Sequence, residues 1–127
     1  MVDKTLKNTS HILIDYKHQM VEVRLSMRVY RDGKYFLAEC PELKLIDQGS
    51  TSREAVENLF QMSQASIMEA VLTGNIEGML KELGFQPGKL ALDNRRLFNQ
   101  KIEESADFLP MNVDMPIPKS DECFATL

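Results

Sequence analysis

The sequence has little of what disulfide frameworks and most metal centres require. Its 127 residues include two cysteines, two histidines and no tryptophan. Cys40 and Cys123 can form at most one bridge and are not a CxxC pair, and His11 and His18 lack the spacing of a zinc-finger pair. We therefore predict no metal site, no cofactor site and reduced thiols.

Long apolar runs and dense runs of positive charge are also missing. No stretch approaches the roughly 18 apolar residues that cross a bilayer, and the first residues lack the apolar segment of a signal peptide. We therefore expect a cytoplasmic protein with no membrane partner. The net charge is −4, from 15 Lys and Arg against 19 Asp and Glu, without a basic stripe for phosphates. This charge suits a basic protein partner, or it simply keeps the chain soluble.

The composition is that of a globular protein, with 43% hydrophobic and 27% charged residues. A chain of this length is expected to fold as one domain plus tails. We predict an N-terminal extension over residues 1–20, an α/β core over 21–85 and a C-terminal segment over 86–127. In that last segment we expect a polar helix over 94–105, an edge strand at 111–117 and a loose tail.

The clearest local pattern is a β-hairpin within residues 21–40. Apolar and polar residues alternate over 21–29, which is typical of a strand with one buried face. Asp32-Gly33 follows, a dipeptide that favours two-residue hairpin turns. Residues 35–40 then form the returning strand. With Asp32-Gly33 as the loop, the pattern predicts that Tyr30 opposes Tyr35 and that Val29 opposes Phe36.

The two faces of this hairpin differ in character. One is apolar and suited to a core, and it consists of Leu25, Met27, Val29, Phe36, Ala38 and Cys40. The other is amphipathic. It is either an ordinary solvent face or a surface that meets a partner. The candidate partner-facing residues are Arg28, Tyr30, Tyr35, Leu37 and Glu39.

A short strand and two helices are predicted to follow the hairpin. Pro41 ends the second strand because it cannot donate to a ladder, and a third strand is expected to end near Gly49. Thr51 and Glu54 have the spacing of a capping box, which predicts a helix over 52–73. A second short helix over 76–83 is then expected to end at Gly84 in a Schellman-like turn.

Residues 27–59 resemble the HicB-like antitoxin family. The resemblance rests on an aromatic strand after a DG-type turn, on Ala38-Glu39-Cys40-Pro41-Glu42-Leu43, and on Gly49-Ser50-Thr51-Ser52-Arg53-Glu54-Ala55, which follows the family's G-x-T-x-x-E-A pattern. It implies an α+β fold likened to a truncated ribonuclease H fold. In this fold a small antiparallel sheet of three to four strands packs on one long helix, and residues 111–117 supply the additional strand.

The resemblance also implies a role in a toxin–antitoxin system. Family members commonly neutralise HicA, a small basic mRNA-cleaving toxin, by binding it directly and masking its catalytic histidine. We therefore expect a HicA-like toxin as partner and no enzymatic activity. We also expect a homo-oligomer, either a dimer or a tetramer, because an edge strand and the Tyr30/Tyr35 pair would otherwise stay uncovered.

Two alternatives stay open. Many family members carry a C-terminal DNA-binding domain and repress their own operon, although the missing basic patch argues against this role here. A ribonuclease H-like nuclease needs several carboxylates that converge on two metal ions. Its candidates are Glu22, Asp32, Glu39 and Asp47, but the sequence assembles no catalytic constellation from them, and no catalytic residue is predicted.

Overall fold

The computed structural model describes residues 9–88, 95–102 and 107–118, and every structural statement below concerns these residues. The strands are β1 (Thr9–Asp15), β2 (Met20–Asp32), β3 (Tyr35–Cys40), β4 (Leu45–Gly49), β5 (Gln86–Pro87), β6 (Arg95–Lys101) and β7 (Leu109–Pro116). The helices are α1 (Ser52–Leu72) and α2 (Ile76–Glu82). The predicted loose tail at 119–127 and Cys123 lie outside the described residues.

All described strands belong to one antiparallel sheet built around β2. The first part of β2 pairs with β1 over Met20–Arg24 and with β7 over Met20–Met27. Its last part pairs with β3 over Arg28–Asp32, and β3 in turn pairs with β4. β1 also pairs with β6, and β6 with β5. β2 can serve two sets of neighbours because it is 13 residues long.

The predicted α+β class with an antiparallel sheet is confirmed, but the sheet is larger than expected. Its seven strands exceed the three to four that were predicted. One addition is β1, which lies within the predicted N-terminal extension and places Ile12 and Ile14 in the core. Another is β6. The predicted C-terminal additional strand is represented by β7, whose Met111 and Met115 are buried.

The predicted polar helix over 94–105 is wrong in its described part. Arg95–Lys101 form β6, which pairs with β1 along its whole length. Phe98 is the buried residue of this strand and lies opposite Ile12. A segment with so few apolar residues cannot cover a sheet as a helix. As a strand it gains ladder hydrogen bonds and buries its phenylalanine.

The predicted hairpin is present, but its register differs from the prediction. Asp32 opposes Tyr35 and Tyr30 opposes Leu37, so the two-residue loop is Gly33-Lys34 and not Asp32-Gly33. Gly33 has φ of +64°, a positive angle at the first loop position only, which is the pattern of a type II′ turn. Each residue's partner moves by two positions, so both faces keep their predicted residues.

The helix termini follow the predicted signals with one change. Thr51 accepts a hydrogen bond from the Glu54 N–H at 3.1 Å, as an N-cap should. The Glu54 carboxylate, however, accepts from the Ser50 N–H at 3.1 Å and not from the N–H of the cap residue itself. At the end of α2, the Phe85 N–H donates to the Leu80 carbonyl at 2.8 Å across Gly84, which is a Schellman motif.

α1 packs on the sheet and closes the core. Its buried residues include Ala55, Leu59 and Ile67, and they join the inward side chains of β1, β2 and β3 in one hydrophobic cluster. Phe36, which the sequence places on the apolar face, packs against this cluster. None of the described helices is long and apolar enough to span a membrane.

Candidate interaction surface

The side of β2, β3 and β4 that faces away from α1 carries the predicted partner-facing residues. Side chains alternate along each strand, and Met27, Ala38 and Cys40 occupy the buried side. The opposite side carries all five candidates and one residue that the sequence analysis missed, Ile46, which pairs with Glu39. We call this surface the outer face, and it consists of Arg28, Tyr30, Tyr35, Leu37, Glu39 and Ile46.

An ion pair lies at the centre of the outer face. Arg28 Nη2 is 2.8 Å from Glu39 Oε1, and these two residues are direct cross-strand neighbours. The Arg28 guanidinium also lies 4.8 Å from the centroid of the Tyr30 ring. The hydrogen bond that Arg28 donates to the Glu39 carboxylate raises the pKa of Arg28 above its ordinary value. The Arg28 guanidinium is thus paired with Glu39 and lies beside an aromatic ring.

Apolar side chains surround this ion pair. Tyr35 is 41% exposed and Ile46 is 48% exposed, whereas Tyr30 and Leu37 are half-buried and lie opposite each other. Lys34 Nζ lies 5.5 Å from the Tyr35 ring. Aromatic and aliphatic groups next to a paired arginine are typical of the central part of a protein interface. The outer face is therefore suited to binding and carries its own compensating charges.

The helix-cap residues Thr51 and Glu54 lie at the start of α1, next to the end of β4, and hold this junction together. One turn further on, Asn58 Nδ2 donates to the Gln48 carbonyl at 2.9 Å, which ties α1 to β4. The cap and this bond fix α1 against the sheet. α1 is thereby held on the side of the sheet opposite the outer face.

The carboxylates considered for a nuclease are engaged in separate local contacts. Glu22 Oε2 is 2.8 Å from His11 Nε2, and Glu22 Oε1 is 3.6 Å from Arg24. Asp47 accepts the Gln48 N–H at 2.8 Å, and Asp32 closes the β2–β3 hairpin. Over the described ranges, no group of three or more His, Cys, Asp or Glu side chains is placed to hold a metal ion.

A buried carboxyl group, which the sequence analysis missed, lies in the turn between β3 and β4. It belongs to Glu42, which is fully buried. Its Oε2 accepts from Ser10 Oγ, from Ser26 Oγ at 2.8 Å and from the Ser26 N–H at 2.8 Å. The sequence offered only a weak signal, a charged residue directly between Pro41 and Leu43.

Cys40 completes this buried cluster. Its Sγ lies 3.6 Å from Glu42 Oε1 as a thiol donor, and the cysteine is free. Burial raises the pKa of the Cys40 thiol far above its ordinary value, with the Glu42 carboxyl group acting in the same direction. Cys40 is thus held in the protonated form and behaves as a small core residue.

Comparison with known proteins found no relative from which a function could be inferred. No family model matches the chain. Neither a curated protein nor a solved structure matches it.

A second cluster, at the β1–β2 turn, surrounds the Asp15 carboxylate with hydrogen-bond donors. Asp15 accepts from the His18 N–H at 3.0 Å, from His18 Nδ1 at 2.8 Å and from Arg95 Nε at 3.1 Å. The bond from the His18 backbone, followed by those from the side chains, lowers the pKa of Asp15 below its ordinary value.

We expect Asp15→Asn to reduce stability at neutral pH and to flatten the loss of stability in acid. A carboxylate with a lowered pKa stabilises the fold above its unfolded pKa of about 3.9, and that contribution disappears as pH falls further. Urea denaturation between pH 7 and pH 3 measures the difference between the two proteins. It should be constant above about pH 5 and shrink below about pH 4. A difference that grows in acid would contradict the assignment.

Proposed function

We propose that this chain is a HicB-like antitoxin, which neutralises a small basic HicA-like mRNA-cleaving toxin by direct binding. The observation that carries the proposal is the outer face. It is an amphipathic sheet surface with aromatic and aliphatic side chains around a fixed Arg28–Glu39 pair. Because α1 covers the other side of these strands, the outer face is the side of this unit that is open to a partner.

The arrangement of the chain supports this proposal. The residues on which the family resemblance rests, 27–59, form the last part of β2, then β3, β4 and the first part of α1. This is a hairpin, a short strand and a capped helix in consecutive order, as the resemblance implies. These elements belong to a larger sheet here, so the likeness concerns this unit and not the whole chain.

Charge supports a basic partner. The net charge of −4 attracts a positively charged protein and accelerates encounter with it. Tyr30 and Tyr35 offer large contact areas with little conformational freedom to lose, and Arg28 is already held in place. We therefore propose that the contact forms on the outer face. The acidic character of the whole chain would mainly accelerate association.

A direct test is titration with the product of the adjacent reading frame, provided that it is short, basic and contains a histidine. We expect the double variant Tyr30→Ala/Leu37→Ala to raise the dissociation constant by about 30-fold or more, because central aromatic anchors dominate interfaces. Isothermal titration calorimetry measures it. The matched control is Gln61→Ala, an exposed position on α1 that should leave the affinity unchanged.

Two results would overturn the proposal. One is the failure of the neighbouring product to co-purify with the chain at micromolar concentration. The other is tight binding that the double variant leaves unchanged, which would place the contact elsewhere. A circular dichroism spectrum of each variant, identical to that of the unaltered protein, shows that the fold is intact.

A further inference from the structure

The outer edge of β4 is already occupied by the chain's own side chains. An edge strand normally presents free N–H and C=O groups that can pair with another chain. Here the Gln48 N–H donates to Asp47 Oδ1 at 2.8 Å, and the Gln48 carbonyl accepts from Asn58 Nδ2 at 2.9 Å. These bonds occupy the outward-pointing backbone groups of Gln48 and so hinder pairing at that end of the edge.

The outer edge of β7 is protected by prolines. Just past the end of β7, the Ile117 N–H donates to the Gln19 carbonyl at 2.8 Å, so odd-numbered positions turn their backbone groups towards β2. Even-numbered positions therefore turn outward. Two of them are Pro110 and Pro116, which have no N–H to offer.

The last part of β2, from Arg28 to Asp32, has an unpaired edge on the side opposite β3 in the described part of the chain. Pairing with β7 ends at Met27, and over the described ranges no strand pairs with this edge beyond that residue. In a two-residue hairpin the closing pair exchanges both hydrogen bonds, so Asp32, Tyr30 and Arg28 direct their backbone groups at β3. The N–H and C=O groups of Val29 and Arg31 therefore point away from β3, towards this edge.

A cleft lies beside this edge in the part of the chain that the structure describes. Its volume is about 510 Å³, and it is lined by Arg28, Val29, Tyr30 and Asp107. It opens where β7 and β2 separate. The edge thus combines outward-pointing backbone groups with a cleft beside them, an arrangement that suits the addition of a strand.

We propose that this edge of β2 pairs with the same edge of a second copy of the chain, in an antiparallel and twofold-symmetric dimer. Val29 of each copy then exchanges hydrogen bonds with Arg31 of the other, and the two Tyr30 residues lie opposite each other. In the same register Arg28 of each copy lies opposite Asp32 of the other. The chain therefore supplies two cross-strand pairs of opposite charge, and this complementarity favours a second copy as the occupant.

The alternation of backbone groups leaves few other registers. A shift of two residues in one direction sets Arg28 against Lys34 of the other copy, which opposes like charges. The same shift in the other direction requires Met27, which is already paired with Leu109. Within one copy Asp32 forms no ion pair with a described residue, so it is available for the partner.

The dimer is tested with a proline substitution that removes a hydrogen-bond donor at the β2 edge and keeps the hydrogen bonds within the monomer. Arg31→Pro removes an N–H that points away from β3, so the β2–β3 ladder keeps its bonds, whereas the dimer loses two bonds by symmetry. We expect the dimer dissociation constant to rise by about 10-fold or more, measured by sedimentation velocity over a concentration series. The matched control is Asn112→Pro, which also places a proline at an exposed outward position, but on β7. It should dimerise as the unaltered protein does.

A second variant tests the charge pairs without altering the backbone. Asp32→Lys sets a lysine opposite Arg28 of the other copy, and we expect dissociation to increase by a similar factor, most strongly at low salt. A chain that is monomeric at 100 micromolar would overturn the proposal. A folded dimer that neither variant weakens would overturn it as well. The measurements use the chain alone, so their failure is distinct from failure to bind a toxin.

Discussion

Replacing Glu42 with alanine is expected to lower the free energy of unfolding by about 3 kcal/mol or more. The substitution removes a fully buried side chain. It leaves Ser10 Oγ, Ser26 Oγ and the Ser26 N–H without their acceptor. Each buried polar group without a partner costs about 1–3 kcal/mol, and a cavity adds to the loss.

The position of Ser26 explains why Glu42 matters. Ser26 lies on β2 between Arg24, the last residue paired with β1, and Arg28, the first residue paired with β3. In place of a neighbouring strand, the Glu42 carboxyl group accepts its N–H. Because Ser10 belongs to β1, a single side chain joins β1 and β2 to the β3–β4 turn.

Urea denaturation of Glu42→Ala beside a matched control measures this contribution. The control is Glu57→Ala, which removes an exposed glutamate that pairs with Arg53 on α1 and should change stability by at most about 0.5 kcal/mol. Glu42→Gln should fall between the two, because an amide keeps one acceptor oxygen and adds donors that must find partners. A loss below about 1 kcal/mol for Glu42→Ala would contradict the structural role of the cluster.

Gly49→Ala is expected to destabilise the protein by about 3 kcal/mol. A Cβ at this position would lie 2.5 Å from the Ala55 nitrogen and 2.8 Å from the Glu54 Cβ. These atoms belong to the first turn of α1 and cannot move without displacing the helix from β4. The requirement for glycine here is close approach and not an unusual backbone angle.

Gly78→Ala is the matched control for this second prediction. Gly78 lies within α2, where a Cβ would meet only Asn75 Oδ1, at 3.4 Å. Alanine favours a helix over glycine by up to about 1 kcal/mol, so this variant should be more stable than the unaltered protein. Thermal or urea denaturation of both variants gives the signs. Equal effects would show that close approach does not determine the requirement at Gly49.

The parts of the fold that could be predicted are those specified by neighbouring residues. Alternation of apolar and polar residues identified β2 and β7, and the turn signal after β2 identified β3 as the returning strand. The spacing of Thr51 and Glu54 placed the start of α1. The outer face followed from the same alternation. It did not depend on the exact turn, because a register change of two residues keeps each side chain on its face.

The parts that could not be predicted depend on residues distant in sequence. β6 is a strand because β1 lies beside it, and no residue pattern within Arg95–Lys101 predicts this pairing. Ile46 belongs to the outer face through its pairing with Glu39 in β3. No local pattern indicated the role of Glu42, since that role depends on serines 16 and 32 positions away.

The sequence by itself determined the α+β class, the hairpin with its two faces, and the capped helix that follows. Each of these depends on the period of side chains along a strand or helix, or on a hydrogen bond within one turn. Tertiary structure alone decided the size of the sheet, the burial of Glu42 and which backbone edges are left open. These features arise when segments far apart in the chain compete for the same hydrogen bonds and the same buried space. Local sequence preferences cannot predict which segments pair.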